Sequence, residues 1–218
     1  MPERDQRAGD AMLSDGNLIV VDLTPDELAK RAIDVVPLGD LEVPSGKLVA
    51  TDPIVDLDQA PFVREVPPGR YPVTLYEAGY FVALAAIRFA PGAVDHWELA
   101  RLPGRGIAVA ADPEEFHGHD VDSARSCFMD AQAIPAIKKD VAIAAENGDA
   151  GDYVMDLLAE ENLMYWPLDD DPVNVAIFQS GNGDGAYQSY WGLCAAGTPL
   201  ALVTDFKIIK NADARSPL

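Results

Sequence analysis

The chain has 218 residues, 49% of them apolar, and carries 36 acidic against 16 basic side chains for a formal net charge of -20. That length and composition exclude wholesale disorder and a second full domain, leaving one large domain or a compact core with an appended N-terminal segment. The negative field excludes nucleic acid and anionic membrane surfaces as partners and leaves a small molecule, a cation or a basic protein, although solubility alone also accounts for bulk charge.

Met1 to Asp10 is polar, mixed in charge and without the apolar stretch of a secretory signal, so a cytoplasmic location is expected. Asn17 to Leu23 is an apolar run ending at Thr24-Pro25-Asp26-Glu27, a capping box with proline at the first helical position. A short helix to about Ile33 is expected to follow. From Leu38 to Leu102 the pattern becomes brief β-prone runs divided by Pro and Gly: Lys47 to Thr51, Tyr71 to Glu77, Phe81 to Phe89, and Asp95 to Arg101. These read as antiparallel sheet. Ala78-Gly79 suits a tight hairpin, and Val-Pro-Ser-Gly-Lys at 43–47 is echoed as a turn by Val-Pro-Pro-Gly-Arg at 66–70. The longest apolar stretch, Tyr80 to Ala90, is broken by Arg88 and falls far short of the roughly 20 residues that a membrane span needs.

A strand is expected over Ile107 to Ala111, then a polar, loop-like Asp112 to Asp122. Asp130 can cap a helix running towards Glu146, with Asn147-Gly148 as its stop; Pro135 either kinks that helix or marks its start. A second helix is expected over Asp152 to Asn162, followed by Leu168 to Pro172 as an exposed connector. Val173 to Gln179, Tyr187 to Leu193, and Leu200 to Ile209 read as closing strands, the last two joined at Ala196-Gly197, with Lys210 to Leu218 as a frayed tail. The sum is an α+β chain. It is mainly antiparallel β, sandwich-like or a strongly bent sheet, with two helices inserted before the last three strands and a short N-terminal helix. Residues 1–37 would be a strand and helix extension, 38–210 a single β-rich domain, and 211–218 the tail.

No complete catalytic motif stands in the chain. Ser180-Gly181-Asn182-Gly183-Asp184-Gly185 crowds three glycines around one carboxylate ahead of an aromatic-rich strand, which suits a rigid loop with its amides and carboxylate facing outward. It resembles a phosphate cradle only superficially, since neither helix nor Lys follows and the Asp repels phosphate. His117 and His119, at i and i+2, could hold a divalent metal with a carboxylate, but in so acidic a loop an exposed, metal-free pair is expected. His96 is either a general base or simply hydrogen-bonded. Asp52, Asp122, Asp130, Asp184 and Asp205 sit at strand ends or turns, where they either converge as acid/base groups or hard-metal ligands, or bond their own backbone. Ser180 and Cys127 lie in no nucleophile elbow, and Cys127 and Cys194 read as reduced, partly buried thiols.

The chain also resembles a known family. Leu38-Gly39-Asp40-Leu41, Pro44-Ser45-Gly46-Lys47, Ala50-Thr51-Asp52-Pro53, Pro67-Pro68-Gly69-Arg70-Tyr71-Pro72-Val73, Trp97-Glu98-Leu99-Ala100 and Val121-Asp122 occur in this order. Cys127-Phe128-Met129-Asp130, Ser180-Gly181, Gly183-Asp184-Gly185, Tyr190-Trp191-Gly192 and Val203-Thr204-Asp205-Phe206 follow. The succession resembles the bacterial family called domain of unknown function 4241, over about Leu38 to Phe206. Ala124 departs from the glycine expected there. The resemblance implies domain limits and signature residues but no reaction.

Polar signature residues from separate parts of the chain imply either a buried hydrogen-bonded network or a pocket lining. The pocket form is a small-molecule site, with a hydrolase or lyase step as its chemistry. In it Asp52, Asp122 and Asp184 supply carboxylates, Lys47 and Arg70 orient an anionic group, Ser180 contacts substrate, and Trp97, Tyr187 and Trp191 form an apolar wall. No motif requires a cofactor, and a divalent metal is the one candidate. The alternative is a non-catalytic, immunity-type protein whose acidic face binds a basic partner.

Overall fold

The computed structural model describes residues 17–104, 117–149, 162–165 and 173–209, together with Gly151, Tyr153, Asp156 and Ala159. Thr24 begins helix α1, Pro25–Lys30, through the expected capping box: Glu27 N–H donates to Thr24 Oγ1 and Thr24 N–H to Glu27 Oε2 at 2.8 Å. The helix stops earlier than expected. Ala32 takes a left-handed φ of 52°, and Ile33 already opens strand β1, Ile33–Val43. This long strand escaped sequence reading because Pro37 and Gly39 interrupt its pattern; its register against β3 slips between those two residues.

Strands β2 (Leu48–Thr51), β3 (Gly69–Ala78), β4 (Phe81–Arg88) and β5 (His96–Leu99) follow the expected runs closely. Within the stretch expected to be loop, His119–Val121 forms strand β6, and Arg125–Asp130 forms β7. Helix α2, Ala133–Asn147, starts with Pro135 in its first turn and ends at Gly148 with φ 83°. Asp130 accepts a hydrogen bond from Gln132 N–H at 2.9 Å, so it fixes the turn ahead of α2 rather than capping the helix itself. The expected strand Ile107 to Ala111 and the Leu168 to Pro172 connector lie outside the described residues, as does most of the helix expected over Asp152 to Asn162. Tyr153, Asp156 and Ala159 within it are helical. Strands β8 (Leu163–Tyr165), β9 (Val175–Gln179), β10 (Gly185–Leu193) and β11 (Pro199–Asp205) complete the chain.

Among the described residues all strand pairings are antiparallel, in two unclosed sheets. The larger runs β1-β3-β4-β11-β10-β5, with β6 also paired to β10, and the smaller runs β2-β7-β9-β8. Leu41, Leu75, Ile87, Phe128, Phe178, Trp191 and Phe206 pack between them as the main core. On the outer face of the larger sheet, Leu18, Val20 and Leu28 from the N-terminal segment cover Tyr76, Leu84, Trp97 and Val203. On the outer face of the smaller sheet, Ala133, Ala136 and Ile137 of α2 cover Val49, Cys127, Met129 and Ile177. Alternation along each strand supplies both faces, so strands that read as continuous apolar runs are those covered twice. This is the expected α+β class. Among the described residues, no helix is long and apolar enough to cross a membrane.

Candidate functional site

Asp52, just after β2, is fully buried and holds a dense polar knot. Its Oδ1 accepts from Ile54 N–H (2.9 Å), Val55 N–H (3.1 Å) and Ser123 Oγ (2.8 Å). Its Oδ2 accepts from Asp122 N–H (3.0 Å) and Ser123 N–H (2.8 Å). An ionised carboxylate has about four lone-pair sites, so these donors leave none for a ligand. The first contacts are the local turn expected of Asp-Pro; the others tie the end of β2 to the β6–β7 connection, about 70 residues away in sequence.

Beside this knot lies His119, buried in β6, with Nε2 2.8 Å from the buried Ser126 Oγ. Burial pushes its imidazole down to about 4, against the raising effect of the Asp52 charge, so the ring is neutral at pH 7. His117 is buried too, and its Nδ1 accepts Leu102 N–H at 2.9 Å. The histidines are therefore not an exposed pair. β6 pairs with β10 and turns His119 inward, towards Ser126 on β7. The grouping Ser126, His119 and Asp52 names the components of an acyl-transfer triad, yet all three are buried and Asp52 spends its oxygens on backbone amides. Sequence reading missed the His119–Ser126 contact, because Ser126 carries no local signal.

Two further knots repeat the design. Asp130 accepts from Ser45 N–H (2.9 Å), from Ser45 Oγ (2.7 Å) and from Gln132 N–H, binding the 44–47 turn to the start of α2. In the glycine loop, Ser180 is fully buried and donates its Oγ proton to Gly183 O (2.9 Å), while Tyr187 OH lies 2.8 Å from Gly183 O and 3.1 Å from Ser180 O. Gly181, at φ 56°, packs so closely on Phe206 that an added Cβ would sit 2.8 Å from the Phe206 Cβ. Ala124 holds φ 57°, so the turn where glycine was expected keeps its left-handed conformation with a side chain present. Asn174, unremarked in the sequence although it interrupts an apolar run, bridges two β1 groups: Nδ2 donates to Asp40 O (2.9 Å) and Oδ1 accepts Glu42 N–H (2.8 Å).

The structure divides the roles of the three proposed catalytic acids. Val121 pairs with Gly185 at the end of the β6–β10 ladder, so Asp122 and Asp184 each lie one residue beyond its last pair, both exposed, while Asp52 is buried under the Asp122 amide. Tyr187 is buried beside them; desolvation raises its phenol pKa, and the Asp184 charge adds to the effect. The proposed aromatic wall is not continuous. Trp191 pairs with Glu98 and Trp97 with Gly192, so the two indoles point to opposite faces of the larger sheet. Trp191 packs between the sheets against Phe62 and Phe89, its buried indole N–H without a hydrogen-bond partner among the described residues, while Trp97 belongs to the outer layer. Lys47 pairs with Glu65 at 3.8 Å, and Arg70 with Asp40 (3.1 Å) and Glu42 (3.5 Å), so neither presents an uncommitted cation.

The remaining candidates are also engaged. His96 contacts Asp95 through Nδ1 (3.0 Å) and Glu98 through Nε2 (3.9 Å). Asp205 accepts from Asn17 Nδ2 (3.2 Å) and Lys207 N–H (2.8 Å), and burial raises its carboxyl pKa. Cys127 and Cys194 are free thiols; Cys127 is fully buried, which pushes its thiol up, while backbone amides around the turn lower that of Cys194. Among the described residues, no group of three or more His, Cys, Asp or Glu side chains is arranged to hold a metal ion.

No curated protein and no solved structure matches the chain. A family model described as "Protein of unknown function (DUF4241)" matches residues 41–204, a span that runs from β1 through β11 and contains every knot described above. The chain therefore belongs to the DUF4241 family.

Proposed function

We propose that this protein is a non-catalytic, acidic interaction module of the cytoplasm that binds a basic partner protein. The observation that carries this reading is saturation. Asp52, Asp130 and Ser180, signature residues that a pocket would turn towards a ligand, are buried and hydrogen-bonded to the protein's own groups. A closed network fixes a β fold; it does not offer donors and acceptors to a substrate. The net charge of -20 then selects the sign of the partner, through a field that steers encounter and discourages like-charged association. The free thiols fit a reducing compartment. The test is co-purification of the tagged chain from its own cells, followed by reconstitution with the purified partner. A basic protein, with affinity falling as NaCl rises from about 50 to about 500 mM, is the expected result. An acidic partner, or one whose affinity ignores salt, would refute the reading.

A second reading rests on Asp122 and Asp184, both exposed and each next to the last β6–β10 pair, with the Asp184 charge acting on Tyr187. Those carboxylates would bind a cationic small molecule or serve a hydrolase or lyase. A thermal-shift screen of metabolites and divalent ions tests it, since a ligand at a hundred times its dissociation constant adds about 2.7 kcal/mol. The screen supports this reading only if a hit's shift disappears in Asp184→Asn.

A further inference from the structure

We infer that the outer face of the larger sheet carries a docking groove for a partner segment that combines apolar anchors with basic side chains, an inference that rests on the partner reading above. Pro25, Leu28 and Ala29 of α1 line a depression of about 470 Å³ together with Ile33, Val35 and Tyr76 of β1 and β3. Strand register explains its floor. Val35 lies opposite Tyr76, and Ile33 lies opposite Ala78, which in turn lies opposite Phe81. Residues paired directly across antiparallel strands share a face, and Ile33 and Tyr76 belong to the outer apolar layer, so Val35 and Phe81 emerge on that face as well. Val35 is 45% exposed, Phe81 41%, and Tyr80 at the adjoining hairpin tip 95%. Val35 lines the depression itself, and Phe81 extends apolar surface on the same face towards the hairpin tip, as at a contact site.

The edge of the sheet adds to this. β1 has β3 as its strand neighbour among the described residues, and Asn174 bonds its other edge towards the far end, at Asp40 and Glu42. The end beside the depression is where Val35 is exposed. Apolar surface along a sheet edge suits packing by a partner segment.

Charge decides the occupant. A second copy would bring another -20 against this face. Asp34, exposed, is the charged residue of the lining, although alternation turns its side chain to the face opposite Ile33 and Val35, and Asp26 is exposed on α1. Lys30 ends the same helix, so the field of the whole chain, more than a local acidic patch, selects a basic partner. The lining is otherwise apolar, which suits Leu-like anchors flanked by Lys or Arg better than a polar metabolite.

The probe is a fluorescent amphipathic peptide of roughly 14 residues, about 20 Å as a helix, with a leucine face and lysines elsewhere; a leucine/glutamate peptide of the same pattern is its control. Binding to the full-length protein is measured by anisotropy for the wild type, for Ala29→Trp, which fills the depression, and for Val35→Ser. Both substitutions fall on exposed positions, and thermal melts establish that the variants fold. The expected result is binding of the lysine peptide alone, weakened at least about tenfold by Ala29→Trp, the loss worth roughly 1.4 kcal/mol. Equal binding to wild type and both variants overturns the groove while leaving the acidic-surface reading intact. No lysine-peptide binding to wild type overturns the groove, and the partner reading is then decided by its own co-purification test. Preference for the glutamate peptide, or a wild-type dimer that Ala29→Trp dissociates, overturns the basic occupant.

Discussion

Replacing Asp52 by Asn separates a structural network from a catalytic carboxylate, because the two roles predict opposite outcomes for stability. Each oxygen of Asp52 faces at least two donors, so whichever one becomes an NH₂ in the variant meets two N–H or O–H groups head on. Those bonds are part-buried around the fully buried carboxylate, and leaving a buried donor unsatisfied costs about 1–3 kcal/mol. Two orphaned donors, together with the new donor that has no acceptor, make a loss of about 3 kcal/mol the expected outcome. For a chain of this size, 1 kcal/mol moves Tm by roughly 2–4 °C, so Tm should fall by about 6–12 °C. Differential scanning calorimetry and urea unfolding, in parallel with Asp184→Asn as an exposed control, measure it. The reasoning is refuted if Asp52→Asn melts within about 2 °C of wild type, for then the carboxylate is not holding the β2 and β6–β7 segments together.

His119 makes a pH prediction whose sign follows from its depressed pKa. The folded imidazole titrates near 4 against an ordinary 6.5, so its contribution is complete above about pH 6.5 and is lost as pH falls towards 4. Between pH 6.5 and pH 4.5 that is about two units, or roughly 3 kcal/mol at about 1.4 kcal/mol per unit, and His119→Gln should flatten the pH 7 to pH 4.5 difference in the free energy of urea unfolding by that amount; an unchanged difference contradicts it. Ala124→Gly should raise Tm, because Ala at φ 57° carries left-handed strain that glycine relieves, for a gain of about 0.5–1 kcal/mol; a lowered Tm would count against the turn. Gly46→Ala should destabilise by about 3 kcal/mol or more, since φ is 76° and a Cβ there would overlap the Val66 carbonyl; circular dichroism melts that match wild type would exclude that close approach.

The fold class was legible because its signals are local. Thr24 and Glu27 write a capping box into four residues, Gly148 writes a helix stop, and Pro and Gly between apolar runs write the strands and hairpins. β1 was not legible, because the bulge around Pro37 and Gly39 imitates a break and only pairing with β3 shows the strand continuing through it. Part of the candidate site could be read: Asp52, Asp122 and Asp184 were singled out as acids at strand ends, and Asp122 does bond Asp52 through its amide, with Asp184 one residue from the last β6–β10 pair. What each acid can do could not be read. Asp52 differs from Asp184 only in being buried under amides from a distant connection, and those contacts exist only once the two sheets have closed on each other.

The same division governs the aromatic residues and histidines. Sequence by itself determined most of the element types, though not β1 or β6, together with the negative field and the family signature, since these depend on neighbours along the chain or on composition alone. Tertiary structure decided that Trp97 and Trp191 face opposite sides of one sheet and that His117 and His119 are buried. It also decided that the signature polar groups are bonded to one another. A strand's alternation fixes which residues share a face but not which face is covered, and that choice is made by partners far away in sequence.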